Sequence, residues 1–276
     1  MSMTWNGASP PPSPSYGPMS AVRILFRGTA VLVTIAAGLM FFLPLRLIEQ
    51  LIFGPMRPYT SWVTQSVCRL SLFWFGIKSY RSGNPMIHHG AAVANHSSWL
   101  DIFVLNASDR IIFVSKSEVS NWPGIGFLAR VTGTLFIARN PRAAKLQALL
   151  LKDRLLLGQR LLFFPEGTST DGQLVLPFKT SLFASLLESQ NENNLYVQPI
   201  SIIYHSAQGQ NIRTYGWWGD MSFGGHLLKI LALRQHGSVE VVYHPPLSVA
   251  KFNDRKTLAR ATETKVRSGH TIRCKG

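Results

Sequence analysis

Three patterns of apolar and polar positions succeed one another along the chain. Between Arg27 and Arg46 lie 18 residues, 28–45, without a charge, including Val31-Leu32-Val33 and Leu39-Met40-Phe41-Phe42. At ~1.5 Å per residue such a helix is near the lower limit for crossing a hydrocarbon core of ~30 Å. Arg27 and Arg46 are placed to snorkel to the two interfaces. A cleaved signal peptide is the alternative, but no small-x-small site follows the run and a long Pro-rich tail precedes it. After the Gly54-Pro55 break, Trp62, Val63, Val67, Leu70, Leu72, Phe73, Trp74 and Phe75 are set among Arg69 and Lys78. An arginine inside the segment predicts an interfacial helix, or the return arm of a half-inserted hairpin, in place of a full span. The plainer reading is a buried helix of the globular domain.

From Gly90 onward short apolar runs alternate with helical segments, which predicts an α/β fold with a largely parallel central sheet flanked by helices. The expected strands are 91–94, 110–114, 134–137, 160–164, 197–204 and 238–243. The expected helices are 100–107, 124–131, 142–157, 179–189 and 255–266, the third with Pro141 just ahead of it. Residues 1–20 are rich in Pro and Ser, carry no charge and show no periodicity, so a disordered tail is expected. The chain thus divides into this tail (1–20), membrane-anchoring helices (21–85), a catalytic domain (86–250) and a basic C-terminal helix and tail (251–276). No internal repeat is visible.

Composition sharpens this picture. The 276 residues are 46% hydrophobic and only 15% charged, with 28 Lys and Arg against 13 Asp and Glu, a net charge of +15. A basic excess suits an anionic partner, nucleic acid or an anionic membrane; the apolar content and the dispersal of the basic residues favour the membrane and argue against nucleic acid. Cys68 and Cys274 lie far apart, without metal-ligand spacing, and imply a reducing compartment with no disulfide framework.

The candidate chemistry begins at Asn95-His96-Ser97-Ser98-Trp99-Leu100-Asp101, which follows the first apolar run of the sheet. A spacing of five does not put two side chains on one helical face. If His96 and Asp101 meet, His96 sits in the loop after the strand and Asp101 in the first turn of the next helix, where the dipole favours a carboxylate. The pair is then a general base with the group that fixes its tautomer; a buried histidine capping the turn is the plainer reading. Further charged residues fall at strand ends, where ligands bind in open α/β sheets. They are Lys116 and Glu118 after the second strand, Arg139 after the third and Pro165-Glu166-Gly167-Thr168-Ser169 after the fourth. Pro199, inside the fifth strand, would mark an edge or a bulge.

These residues resemble the motifs of the glycerolipid acyltransferase family that includes the 1-acylglycerol-3-phosphate acyltransferases. Asn95, His96 and Asp101 match its first motif. Lys116, Glu118, Pro123, Gly126, Gly133 and Arg139 match the second, Phe164 to Thr168 the third and Pro199 the fourth, in the family's order. The resemblance implies direct acyl transfer from a thioester to the hydroxyl of a lysolipid, with His96 and Asp101 catalytic. It also implies substrate contacts at Asn95, Lys116, Arg139, Glu166, Gly167 and Thr168. No bound cofactor or metal is expected; acyl carrier protein or coenzyme A thioester is the co-substrate. The expected partners are the lysolipid and the bilayer, with no nucleic acid. The expected place is the cell membrane, catalytic domain facing the cytoplasm. Consistent with direct transfer, no Gly-x-Ser-x-Gly elbow occurs.

Lysophosphatidate (1-acyl-sn-glycerol-3-phosphate), giving phosphatidic acid, is the main expectation for the acceptor. One departure and one further resemblance open an alternative. Ser169 stands where many members carry an arginine, and Trp217-Trp218-Gly219-Asp220-Met221 resembles a segment of bacterial members, some of which acylate lyso-ornithine lipid. Interfacial anchoring or core packing is the plainer reading for the two tryptophans. A lipid-binding membrane protein of the same fold without turnover is the non-enzyme alternative.

Overall fold

A computed structural model describes residues 4–11, 16–138, 144–188 and 194–274. Helix α1, Pro18–Phe53, and helix α2, Thr60–Phe75, form a hairpin that precedes an α/β domain. Strand β1 (Lys78–Ser82) then leads to β2 (Gly90–Ala94), α3 (Leu100–Ser108), β3 (Ile112–Lys116), α4 (Ile125–Thr132), β4 (Leu135–Ile137), α5 (Ala144–Leu156), β5 (Leu161–Phe163) and α6 (Ser181–Glu188). The chain continues through β6 (Tyr196–His205), α7 (Phe223–Ala232), β7 (Ser238–Tyr243), β8 (Leu247–Ser248) and α8 (Arg255–Cys274). Residues 142, 143 and 189 of the expected helices lie outside the described residues.

Among the described residues the sheet order is β1-β7-β6-β2-β5-β3-β4, with β8 also on β6. All pairings are parallel except β6 with β7 and with β8. Successive residues of a strand point to opposite faces, and β2 shows it: Ala92 and Ala94 join one apolar cluster, Ala91 and Val93 the other. The first cluster is closed by Leu72 and Phe75 of α2, Leu100 and Val104 of α3, and Ile230 and Leu231 of α7. The second is closed by Leu155 of α5, Phe183 and Leu186 of α6, and Leu258 and Val266 of α8. With both faces covered, the central strands β2 and β5 are apolar and buried throughout, as the middle of a parallel sheet requires.

Several expectations need correction. Strand β1 falls inside the stretch assigned to membrane anchoring, yet it pairs with β7 from Lys78↔Ser238 to Ser82↔Val242. The C-terminal helix continues to Cys274 and its Val266 is fully buried, so it is part of the domain core. Pro199 lies on central β6, opposite Val93. It falls in the interval between the pairing of β6 with β8, at 196 and 197, and with β7, from Ile200. A residue without an N–H is tolerated there without an edge or a bulge.

The hairpin also differs from expectation. Helix α1, long and apolar enough to cross a membrane, is 36 residues and not 18. Its arginines bond to backbone carbonyls of the protein. Arg27 donates to the carbonyls of Leu231 and Leu233 at 2.9 and 2.7 Å, and Arg23 to that of Ala232 at 2.8 Å. These are terminal carbonyls of α7, which lack helical partners and attract cations. Arg46 donates to the carbonyls of Gly54 and Met56 in the hairpin turn. The arms are tightly packed at Gly38, where a Cβ would lie 2.3 Å from Val67 Cγ2. The residues 18–20, assigned to the tail, open α1 on Pro18, a favoured first helical residue.

Candidate active site

The carboxyl ends of β2, β3 and β5 bring the motif residues together. His96 lies in the loop after β2 and Asp101 in the first turn of α3. His96 Nδ1 is 2.8 Å from Asp101 Oδ2, which also accepts the backbone N–H groups of Ser97 at 2.8 Å and Ser98 at 3.1 Å. An oxygen already accepting two N–H groups is best matched by a third donor. The geometry therefore assigns the imidazole proton to Nδ1 and leaves Nε2 as the basic nitrogen. Nε2 has no protein partner among the described residues, and the His96 side chain keeps 19% of its surface exposed while Asp101 has none.

Two rings complete the orientation of this pair. Phe164 stacks on the imidazole with centroids 4.1 Å apart and planes inclined by 14°, and Phe113 stacks behind Phe164. Tyr204, on β6, donates its Oη proton to Asp101 Oδ1 at 2.7 Å. Burial, with the Asp101 charge adding to it, pushes the Tyr204 phenol well above its ordinary value, so it remains a donor. Tyr204 escaped sequence analysis because only strand register and sheet order bring position 204 to position 101. Its one signal is an aromatic residue with a polar tip in an otherwise apolar strand.

The remaining motif residues divide into those facing the opening and those holding the loops. Asn95, expected at the substrate, is 1% exposed. Its amide donates to the Ile202 carbonyl at 2.9 Å and accepts from the Ile202 N–H at 2.7 Å, clamping the loop to β6. Glu166, also expected at the substrate, is 2% exposed; Oε1 accepts from His96 N and Oε2 from Leu176 N, both at 2.7 Å. Burial pushes its carboxyl up to about 8, with a further push from Asp101 opposed by those two N–H groups. Both residues thus have the geometry of loop staples. The Thr170 N–H meets the His96 carbonyl at 3.0 Å, and Trp217 N meets the Ser97 carbonyl at 2.9 Å. Trp99 Nε1 donates to Nδ1 of His226, whose burial lowers it to about 3 and keeps it neutral.

Lys116 ends β3 and is half-buried at the same end of the sheet. Gly167 has φ +71°, and a Cβ there would sit 2.6 Å from Lys179 Nζ. A cation that sequence analysis read only as a helix start therefore lies against the third motif. Thr168 is half-buried and accepts from the backbone of Trp5. Arg139 lies outside the described residues. Among the described residues no three His, Cys, Asp or Glu side chains are grouped to hold a metal. A cavity of about 270 Å³ lined by Arg57, Arg110 and Arg160 opens at the amino ends of β3 to β5, the opposite end of the sheet from His96 and Asp101.

Such a site, a base with one free nitrogen beside partly open strand ends, can activate a hydroxyl. Comparison with known proteins agrees with that chemistry. The family model described as Acyltransferase matches residues 81–203. A lyso-ornithine lipid O-acyltransferase of Rhodobacter capsulatus is 49% identical over 265 residues, 96% of either chain. A 1-acyl-sn-glycerol-3-phosphate acyltransferase of Neisseria gonorrhoeae is 29% identical over 191 residues, covering 67% of this chain and 72% of that one. In fold, the chain is similar to the 1-acyl-sn-glycerophosphate acyltransferase PlsC from Thermotoga maritima, with a TM-score of 0.64 and 20% identity over 92% of this chain and 97% of that one. With its four motifs in order, its parallel sheet and a relative at 49% identity along nearly its whole length, the chain belongs to the acyltransferase family whose members acylate lysolipids.

Proposed function

We propose that this protein transfers a fatty acyl group from a thioester to the hydroxyl of lyso-ornithine lipid. The 49% identity to the Rhodobacter capsulatus enzyme over 96% of both chains carries the choice of acceptor. It favours the alternative acceptor over lysophosphatidate, whose named Neisseria relative is 29% identical over a shorter stretch. Ser169 in place of an arginine and the Trp217–Trp218 segment support it, since a head group without phosphate needs fewer cations.

In the reaction, Nε2 of His96 takes the proton of the acceptor's fatty-acyl hydroxyl as that oxygen attacks the thioester carbonyl. Asp101, held by Tyr204 and two backbone N–H groups, stabilises the imidazolium that forms. The tetrahedral intermediate collapses with loss of the thiolate, which recovers the proton from the imidazolium. The acceptor hydroxyl does the work of an enzyme nucleophile, so no acyl-enzyme forms. Lys116 and Arg139 contact the acceptor's carboxylate, and the third-motif loop positions its chain. The donor is acyl carrier protein or coenzyme A thioester, and the catalytic domain faces the cytoplasm.

Purified protein supplied with either thioester and with lyso-ornithine lipid or lysophosphatidate should acylate the former at least tenfold more efficiently. Equal or reversed preference would overturn the acceptor. His96→Ala should lower turnover by about 10² or more, and a variant of normal activity would remove His96 from the base role.

A further inference from the structure

Residues 4–8 lie against both loops that hold His96. The Trp5 N–H donates to Thr168 Oγ1 at 3.4 Å, and the Trp5 ring packs on that of Trp218 with centroids 6.1 Å apart. Trp218 Nε1 donates to the Ala8 carbonyl at 2.9 Å, and Trp218 is only 2% exposed. Gly219, at φ +60°, lies so close to Asn6 that a Cβ would meet its Oδ1 at 2.7 Å. A left-handed glycine without a side chain leaves room for the Asn6 amide against this loop.

Each contact leads to the catalytic loop by a short route. From Thr168 the chain runs two residues to Thr170, whose N–H holds the His96 carbonyl. From Trp218 it is one residue to Trp217, whose N–H holds the Ser97 carbonyl. The two loops are bonded to adjacent carbonyls of the base loop, and residues 4–8 tie them to each other from outside. The Ala8 carbonyl is the acceptor for this buried indole N–H, so the segment both covers Trp218 and satisfies its one polar group.

We propose that residues 4–8 are a strap that completes the acceptor side of the active site, with Trp5 a positioning and specificity-determining residue for lysolipid. This rests on the reading of the chain as a lysolipid acyltransferase and on Thr168 as part of the acceptor site. Seated on Thr168 and Trp218, the strap narrows the approach to the third-motif loop and fixes the loops that aim His96. Its contacts are with the third-motif loop and the Trp218 loop, both on the acceptor side, so its loss should act on the lysolipid and not on the thioester.

The test uses full-length protein, Trp5→Ala, Trp5→Phe and a deletion of residues 2–8. Trp5→Ala and the deletion should raise KM for lysolipid at least fivefold with KM for the thioester within twofold, and Trp5→Phe should restore the wild-type value. Unchanged acceptor KM in the deletion, or equal rises in both KM values, would overturn the strap. Hydrogen exchange supplies a readout that needs no turnover: the deletion should speed exchange at the Thr170 and Trp217 amides. Unaltered exchange there would refute the positioning role even if no lysolipid is acylated, whereas faster exchange in a protein without transfer would sustain the strap and refute the acyltransferase reading.

Discussion

Glu166 sits at the centre of the site yet has both oxygens on backbone N–H groups and almost no exposed surface. Its pKa, raised from the ordinary 4.5 to about 8, has a consequence for stability. Between these values the folded protein binds a proton that the unfolded chain does not. Its contribution is therefore fully present below pH 4.5 and is lost as pH rises through 8. Urea unfolding at pH 5.5 and 8.5 should show a decrease in stability that is smaller in Glu166→Gln, and identical slopes in both proteins would contradict it. The site residues were legible to different degrees for a physical reason. His96 and Asp101 are neighbours along the chain, so a loop followed by a helix turn suffices to join them. Asn95 and Glu166 were found as positions, but their role as staples depends on partners, Ile202 and Leu176, that only the folded backbone supplies. Tyr204 and the strap residue Trp5 required tertiary structure outright.

Elements with strong apolar periodicity were read within one or two residues. Those missed have polar or glycine-rich sequences. Strand β1 reads Lys-Ser-Tyr-Arg-Ser, with four of its five residues exposed, because it is an edge strand, and edge strands carry charge against unwanted pairing. Helix α7 opens Phe-Gly-Gly, which suggests a loop; Ser222 caps it by accepting from Gly225 N. The hairpin is sensitive to volume at Gly38. Gly38→Val would force α1 away from Val67 and should destabilise the protein by ~1–3 kcal/mol, read as a fall in Tm in detergent. Gly28→Ala, whose Cβ would be 3.6 Å from Leu231 Cδ1, is the control and should be neutral or slightly stabilising. A Gly38 variant with unchanged Tm would mean that the arms do not pack as described.

At the scale of the molecule, the outer side of the hairpin carries Leu25, Phe26, Leu32, Val33, Met40, Phe41, Leu51, Ile52 and Phe73, all exposed. An apolar surface of this extent, on a chain of net charge +15, suits a bilayer. Each large apolar side chain inserted contributes ~1.5–3 kcal/mol. Replacing Leu32, Phe41 and Leu51 by Ser should therefore lower sedimentation with anionic vesicles at least tenfold, whereas 0.5 M salt should lower it less. Loss of binding in salt alone would shift the weight to charge.

The arginine bonds from α1 to the end of α7 also bear on how the protein is made. Helix α1 leaves the ribosome early, and its dock is completed only when residues 231–233 have been added. At ~5–20 residues per second that interval is on the order of ten seconds or more, far longer than the microseconds of helix formation. Throughout it, an apolar helix of 36 residues stands without its dock on α7. The nascent chain therefore needs a membrane or a chaperone to shelter this helix before its own catalytic domain exists.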